Sequence, residues 1–93
     1  SILADVENAE ADILSDPIYY ALNLCRVLAF ARDSLCLSKA DGGRWALERL
    51  PEEWHPLVYE ALVCYASSQT MRTSAETLVR FAGTLLHLIR EAA

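Results

Sequence analysis

The 93 residues suffice for one compact domain and leave no room for a second, and with 54% of them hydrophobic and 23% charged the chain is built to fold around a core. The formal net charge of −5 argues against a nucleic-acid surface, which needs clustered Lys and Arg to neutralise phosphates. No apolar run approaches the roughly 18 residues that cross a bilayer, so we expect a cytoplasmic chain without a membrane partner.

Five helices and no strand are predicted in chain order, making an all-α, up-and-down antiparallel bundle that forms a single helical domain over 1–93. Ile2, Val6, Ala9 and Ile13 recur at three- and four-residue spacing, which predicts a first helix from Ile2 to about Leu14. Ser15-Asp16-Pro17 stops it, with Asp16 as the N-cap of a second helix and Pro17 in its first position. That second helix, to about Arg32, carries Ile18, Ala21, Leu22, Cys25, Leu28 and Ala29 on one face, widened by Leu24 and Val27. So broad an apolar surface places it centrally, with Asn23 and Arg26 as polar exceptions.

Ser38-Lys39-Ala40-Asp41 has capping-box spacing and opens a third helix to about Leu50. Gly42 and Gly43 cost it about 1 kcal/mol each relative to Ala, either as tolerated defects or to admit another backbone or a ligand. Pro51 ends it, and Glu52 to His55 form a turn. Pro56 then starts a fourth helix with Leu57, Ala61, Leu62 and Tyr65 on its apolar side. Thr73-Ser74-Ala75-Glu76 is a second capping box, opening a final helix that turns Leu78, Phe81, Ala82, Leu85, Leu86 and Ile89 inward.

The three cysteines, Cys25, Cys36 and Cys64, lie among apolar residues without C-x-x-C spacing, and are read as buried, reduced thiols. Trp45 and Trp54 are assigned to the core or its edge, and the four tyrosines to its boundary. Catalytic motifs are absent: there is no Gly-Ser followed by Asp-x-Asp, no H-E-x-x-H, no P-loop and no G-x-S-x-G. His55 and His87 have no second metal ligand at a useful spacing, so we assign neither a catalytic nor a metal-binding residue.

Lys39 stands out because a helix N-terminus already carries positive partial charge, so a lysine there is mildly unfavourable unless an anion is received. The alternative is a solvated lysine that the helix tolerates. Asp12 and Asp16 flank the first interhelical turn and can converge on one ligand, although capping alone accounts for Asp16. Arg26, on an apolar helix, requires an acceptor, either a neighbouring carboxylate or a ligand phosphate.

Taken in order, Leu22-Asn23-Leu24-Cys25-Arg26, Leu37-Ser38-Lys39, Trp45-Ala46-Leu47, Leu50-Pro51-Glu52 and Tyr65 resemble one domain type. It is the C-terminal helical domain of the aminoglycoside adenylyltransferases that modify streptomycin and spectinomycin. The similarity runs from about Asp12 to Tyr65 and more loosely to the end. The resemblance implies an N-terminal nucleotidyltransferase domain as partner, supplying the carboxylates that hold Mg2+ and the base that activates the drug hydroxyl. ATP and the aminoglycoside or aminocyclitol would be the substrates, and the helical domain would touch both. Carried across by position, Asp12, Asp16 and Tyr19 fall on the drug side, and Lys39, Arg26 and Tyr65 on the nucleotide side. Glu7 stands where streptomycin-accepting members carry tryptophan, which shifts the expected acceptor away from streptomycin, and Tyr19 stands where relatives have histidine. The opening Ser1, in place of Met, is expected of an excerpt that lacks its catalytic domain. Without that domain the chain would have no transferase activity and could self-associate as a homodimer. The competing expectation is a stand-alone helical interaction or dimerisation module.

Overall fold

The computed structural model describes residues 6–93, and all regular structure among them is helical. Helices α1 (Ala9–Asp12), α2 (Pro17–Asp33), α3 (Lys39–Arg49), α4 (His55–Ser67) and α5 (Ala75–Ala92) form the expected five-helix all-α bundle, with a 3-10 turn at Glu52–Trp54. Central α2 buries Ala21, Leu22, Leu24, Cys25, Val27, Leu28 and Ala29, and packs on α3, α4 and α5. The predicted inward stripe of α5, from Leu78 to Ile89, is wholly buried against α2 and α1. Trp54 closes the core edge-on to Phe81, with ring centroids 5.3 Å apart at 68°.

The pairing of α2 with α3 positions everything that follows. Short connections predict antiparallel neighbours, but Ser34–Ser38 contains no helix and doubles back along α2, where the Leu37 carbonyl accepts a 2.8 Å hydrogen bond from Arg26 Nε. Trp45 Nε1 on α3 therefore donates to Asp33 at the end of α2 (2.9 Å), while Lys39 at the start of α3 reaches Tyr19 at the start of α2. The two helices cross with like ends together. At the crossing Gly42 and Gly43 are buried, and a Cβ on Gly42 would lie 2.7 Å from Arg26 Cγ and 3.0 Å from the Arg26 nitrogen. Of the two explanations for these glycines, admission of another backbone is the one realised at Gly42.

Three further expectations about helix bounds and burial need correction here. The first helix was expected over Ile2–Leu14. Ile2 lies outside the described residues, and among the described residues the α-helical part is Ala9–Asp12. Ser15 ends it by donating its N–H and hydroxyl to the Asp12 carbonyl at 2.9 and 2.7 Å, a local bond that competes with helix continuation. So short a helix cannot stand alone, and burial of Val6, Ala9 and Ile13 holds it in place. Cys36 is exposed, unlike Cys25 and Cys64, because it sits in the non-helical connection between α2 and α3. Burial pushes the Cys25 thiol up to about 12, so this cysteine is inert at neutral pH.

The third correction shifts the start of α5 by one residue. Ser74, not Thr73, is the N-cap, its hydroxyl accepting from the Thr77 N–H at 3.2 Å. Thr73 is engaged elsewhere: the Glu60 carboxylate accepts from Thr73 Oγ1 (2.7 Å), the Thr73 N–H (3.1 Å) and the Arg72 N–H (2.9 Å), clamping the α4–α5 connection. Partial burial pushes the Glu60 carboxyl up, but these donors and the Arg72 charge outweigh it and hold it below the ordinary 4.5. A carboxyl lowered on folding stabilises the native state above its unfolded pKa, and that contribution is lost as pH falls through the folded value. Glu60→Gln is therefore expected to cost about 1–2 kcal/mol at neutral pH and to flatten the acid limb of the stability profile. Melting temperatures from pH 7 down to 3 check this, and a mutant curve parallel to wild type would remove Glu60 from the acid response.

Candidate functional site

Because α2 and α3 cross with like ends together, their N-termini share one end of the bundle with the last turn of α4. Between them lies an open cleft of about 350 Å3. The start of α2 supplies Asp16, Ile18 and Tyr19, the start of α3 supplies Lys39, and the end of α4 supplies Cys64, Tyr65 and Ser68. Residues far apart in sequence thus meet through the geometry of a single helix crossing.

Each side chain has a local reason for its position. Asp16 caps α2, its Oδ1 accepting from the Tyr19 N–H at 3.4 Å, and the residue remains exposed. Ser38 caps α3 in the same way, accepting from the Asp41 N–H at 3.1 Å, which fixes Lys39 in the first helical position. The Lys39 ammonium lies 5.2 Å from the centre of the Tyr19 ring, within cation–π range. Tyr65 was expected on the apolar side of α4, yet it is 51% exposed. The buried stripe of α4 consists of Leu57, Val58, Ala61 and Cys64, and at its last turn the inward face opens on the cleft instead of the core. Ser68 ends α4 with φ 58°, a left-handed conformation in which its N–H returns to the Cys64 carbonyl.

Asp16, Tyr19, Lys39 and Tyr65 are therefore brought together, whereas Asp12 and Arg26 do not line the cleft. Asp12 is half-buried just before the α1–α2 turn. The neighbouring Tyr20 hydroxyl is raised above its ordinary 10.0, first by loss of solvent and then by the Asp12 charge. Arg26 finds neither of the acceptors anticipated for it. Its guanidinium donates to the Leu37 carbonyl and, at 3.1 Å, to Oδ1 of buried Asn23, which accounts for both polar exceptions on α2. His55 Nε2 donates to the Leu50 carbonyl at 2.8 Å, and exposed His87 faces Glu91 at 3.3 Å. Ile18, Cys64 and Ser68 were not singled out as site residues. The first two read as ordinary core positions, and nothing in the local sequence marks Ser68 as the left-handed end of a helix.

Residues 1–87 match the family described as aminoglycoside adenylyltransferase, C-terminal domain. The chain belongs to that family. The match takes in every helix but the last residues of α5, and it includes all the cleft-lining residues. No curated protein and no solved structure matches the chain. In this adenylyltransferase C-terminal domain, no group of three or more His, Cys, Asp or Glu among the described residues could hold a metal ion. No helix among the described residues is long and apolar enough to cross a membrane.

Proposed function

We propose that this chain is the substrate-binding C-terminal domain of an adenylyltransferase that moves AMP from ATP to a hydroxyl of an aminoglycoside or aminocyclitol. The observation carrying this reading is the convergence of Asp16, Tyr19, Lys39 and Tyr65 on one open cleft. A carboxylate suits the ammonium groups of such a drug, and a lysine at a helix N-terminus suits the ATP phosphates. Transfer requires donor and acceptor side by side, so opposite charges across one cleft match the chemistry. Tyr65 lines the nucleotide side, Arg26 supports the start of α3 through the Leu37 carbonyl, and Asp12, which does not line the cleft, is left out of direct contact. The carboxylates for Mg2+ and the base for the acceptor hydroxyl belong to an N-terminal catalytic domain closing over the cleft. Tyr59 and Val63 are exposed one turn apart on a different face of α4 from Tyr65.

The charge of Asp16 gives the direct test. In the intact enzyme, Asp16→Asn is expected to weaken acceptor binding by roughly 1–3 kcal/mol while leaving ATP binding nearly unchanged. Asparagine caps a helix about as well as aspartate, so this substitution removes the charge and spares α2. Calorimetric titration of both substrates into the mutant decides it. Unchanged drug affinity would return Asp16 to capping alone.

A further inference from the structure

We infer that Tyr19 acts through Lys39, holding the lysine ammonium at the nucleotide side of the cleft rather than presenting its own ring to the acceptor. This rests on the proposed role of Lys39 at the ATP phosphates. Tyr19 occupies the first turn of α2, and although the residue is exposed, one ring face is already taken by Lys39 Nζ at 5.2 Å from its centre. The ring itself is fixed from the side. Tyr20 packs on it edge-to-face, with centroids 5.1 Å apart and planes at 82°, and the Tyr19 N–H is tied to the Asp16 cap. Lys39 makes no ion pair among the described residues, so the Tyr19 ring is the one charge-stabilising group seen at its ammonium.

The physical consequence is selective. A free lysine side chain loses considerable rotamer entropy when a phosphate fixes it, and a ring that confines the ammonium beforehand reduces that loss. The interaction uses the π-face of the ring and not the hydroxyl, so phenylalanine supplies it and an aliphatic residue does not. The hydroxyl remains available to the cleft, but the inferred function does not need it. Tyr19 is thus a positioning residue for the donor substrate, although it lies three residues from Asp16 on the acceptor side.

Two measurements test this, one of which needs no activity. In NMR spectra of the 93-residue chain, the Lys39 ε-methylene protons should be shifted upfield by the Tyr19 ring current. Tyr19→Phe keeps that shift and Tyr19→Leu abolishes it. An unshifted wild-type resonance overturns the inference whatever the enzyme does. In the intact enzyme, Tyr19→Phe should leave KM for ATP within about twofold, whereas Tyr19→Leu should lower kcat/KM for ATP about two- to fivefold with acceptor KM unchanged. In a Lys39→Met background, Tyr19→Leu should have no further effect on ATP. A rise in acceptor KM instead, or additive losses with Lys39→Met, would overturn the positioning role. Full activity of Lys39→Met alone would overturn the phosphate role of Lys39, an outcome separable from the ring-current result.

Discussion

Gly42→Val is expected to lower the stability of the chain by about 3 kcal/mol, at the upper end of the usual cost of overpacking a close contact. For a domain of this size such a loss moves the melting temperature by roughly 12–24 °C. The clash is severe because of what lies opposite: a Cβ would stand 3.0 Å from the Arg26 nitrogen and 3.1 Å from its Cα, and a helix backbone cannot rotate aside as a side-chain tip can. Valine adds two further methyl groups to that contact. Gly42→Ala is expected to fall in between, because about 1 kcal/mol of improved helix propensity offsets part of its clash. Gly83→Ala is the control. Its Cβ would meet only the carboxylate end of Glu10, at 3.1 Å, and Glu10 is exposed and flexible, so that mutant should gain up to about 1 kcal/mol. Denaturant unfolding of the three variants measures the ordering. A Gly42→Val protein as stable as wild type would show that the α2–α3 crossing is not set by backbone contact there. Because that crossing brings both helix N-termini to the cleft, the same mutation should also impair substrate binding.

Features decided within one helical turn were legible in the sequence. The Asp16 and Ser38 caps, the inward stripe of α5 and the breadth of the apolar face of α2 all follow from local spacing, and each is observed. Features decided between elements were not. Thr73 and Ser74 are both good caps, and only the distant Glu60, by engaging Thr73, selects Ser74. Ser34 and Ser68 end their helices with φ 57° and 58°, a role usually given to glycine, so no composition signal marked them. The glycines of α3 were visible, but the backbone that approaches Gly42 was not. The cleft shows the same division. The chemical oddity of Lys39 could be read from its place at a helix start, whereas its pairing with Tyr19 depends on the connection from Ser34 to Ser38 doubling back along α2. Arg26 called for an acceptor in the sequence, and the fold supplies it from the Leu37 carbonyl and Asn23.

Lys39→Ala in the intact enzyme is expected to reduce kcat/KM for ATP by tenfold or more, about 1.4 kcal/mol or more of lost transition-state stabilisation, while the fold survives. The two halves of this expectation have separate origins. Lysine in the first turn of α3 opposes the helix dipole, by a few tenths of a kcal/mol, and alanine is the better helix former, so removing the charge favours α3. Against this stands the loss of the Tyr19 contact, worth about 0.5–1 kcal/mol at an exposed site. The two terms nearly cancel, and the melting temperature should move by no more than a few degrees. Activity has no such compensation. Adenylyl transfer redistributes negative charge over phosphate oxygens, and in the proposed role the Lys39 ammonium would stabilise that charge. Lys39→Arg separates charge from geometry: it keeps the positive charge but replaces a compact ammonium with a planar fork, and should recover only part of the rate. The decisive experiment pairs thermal melting of all three proteins with steady-state kinetics at varied ATP. A Lys39→Ala enzyme with full activity would remove Lys39 from the phosphates, and a large fall in melting temperature would make the lysine a structural residue of the α2–α3 crossing.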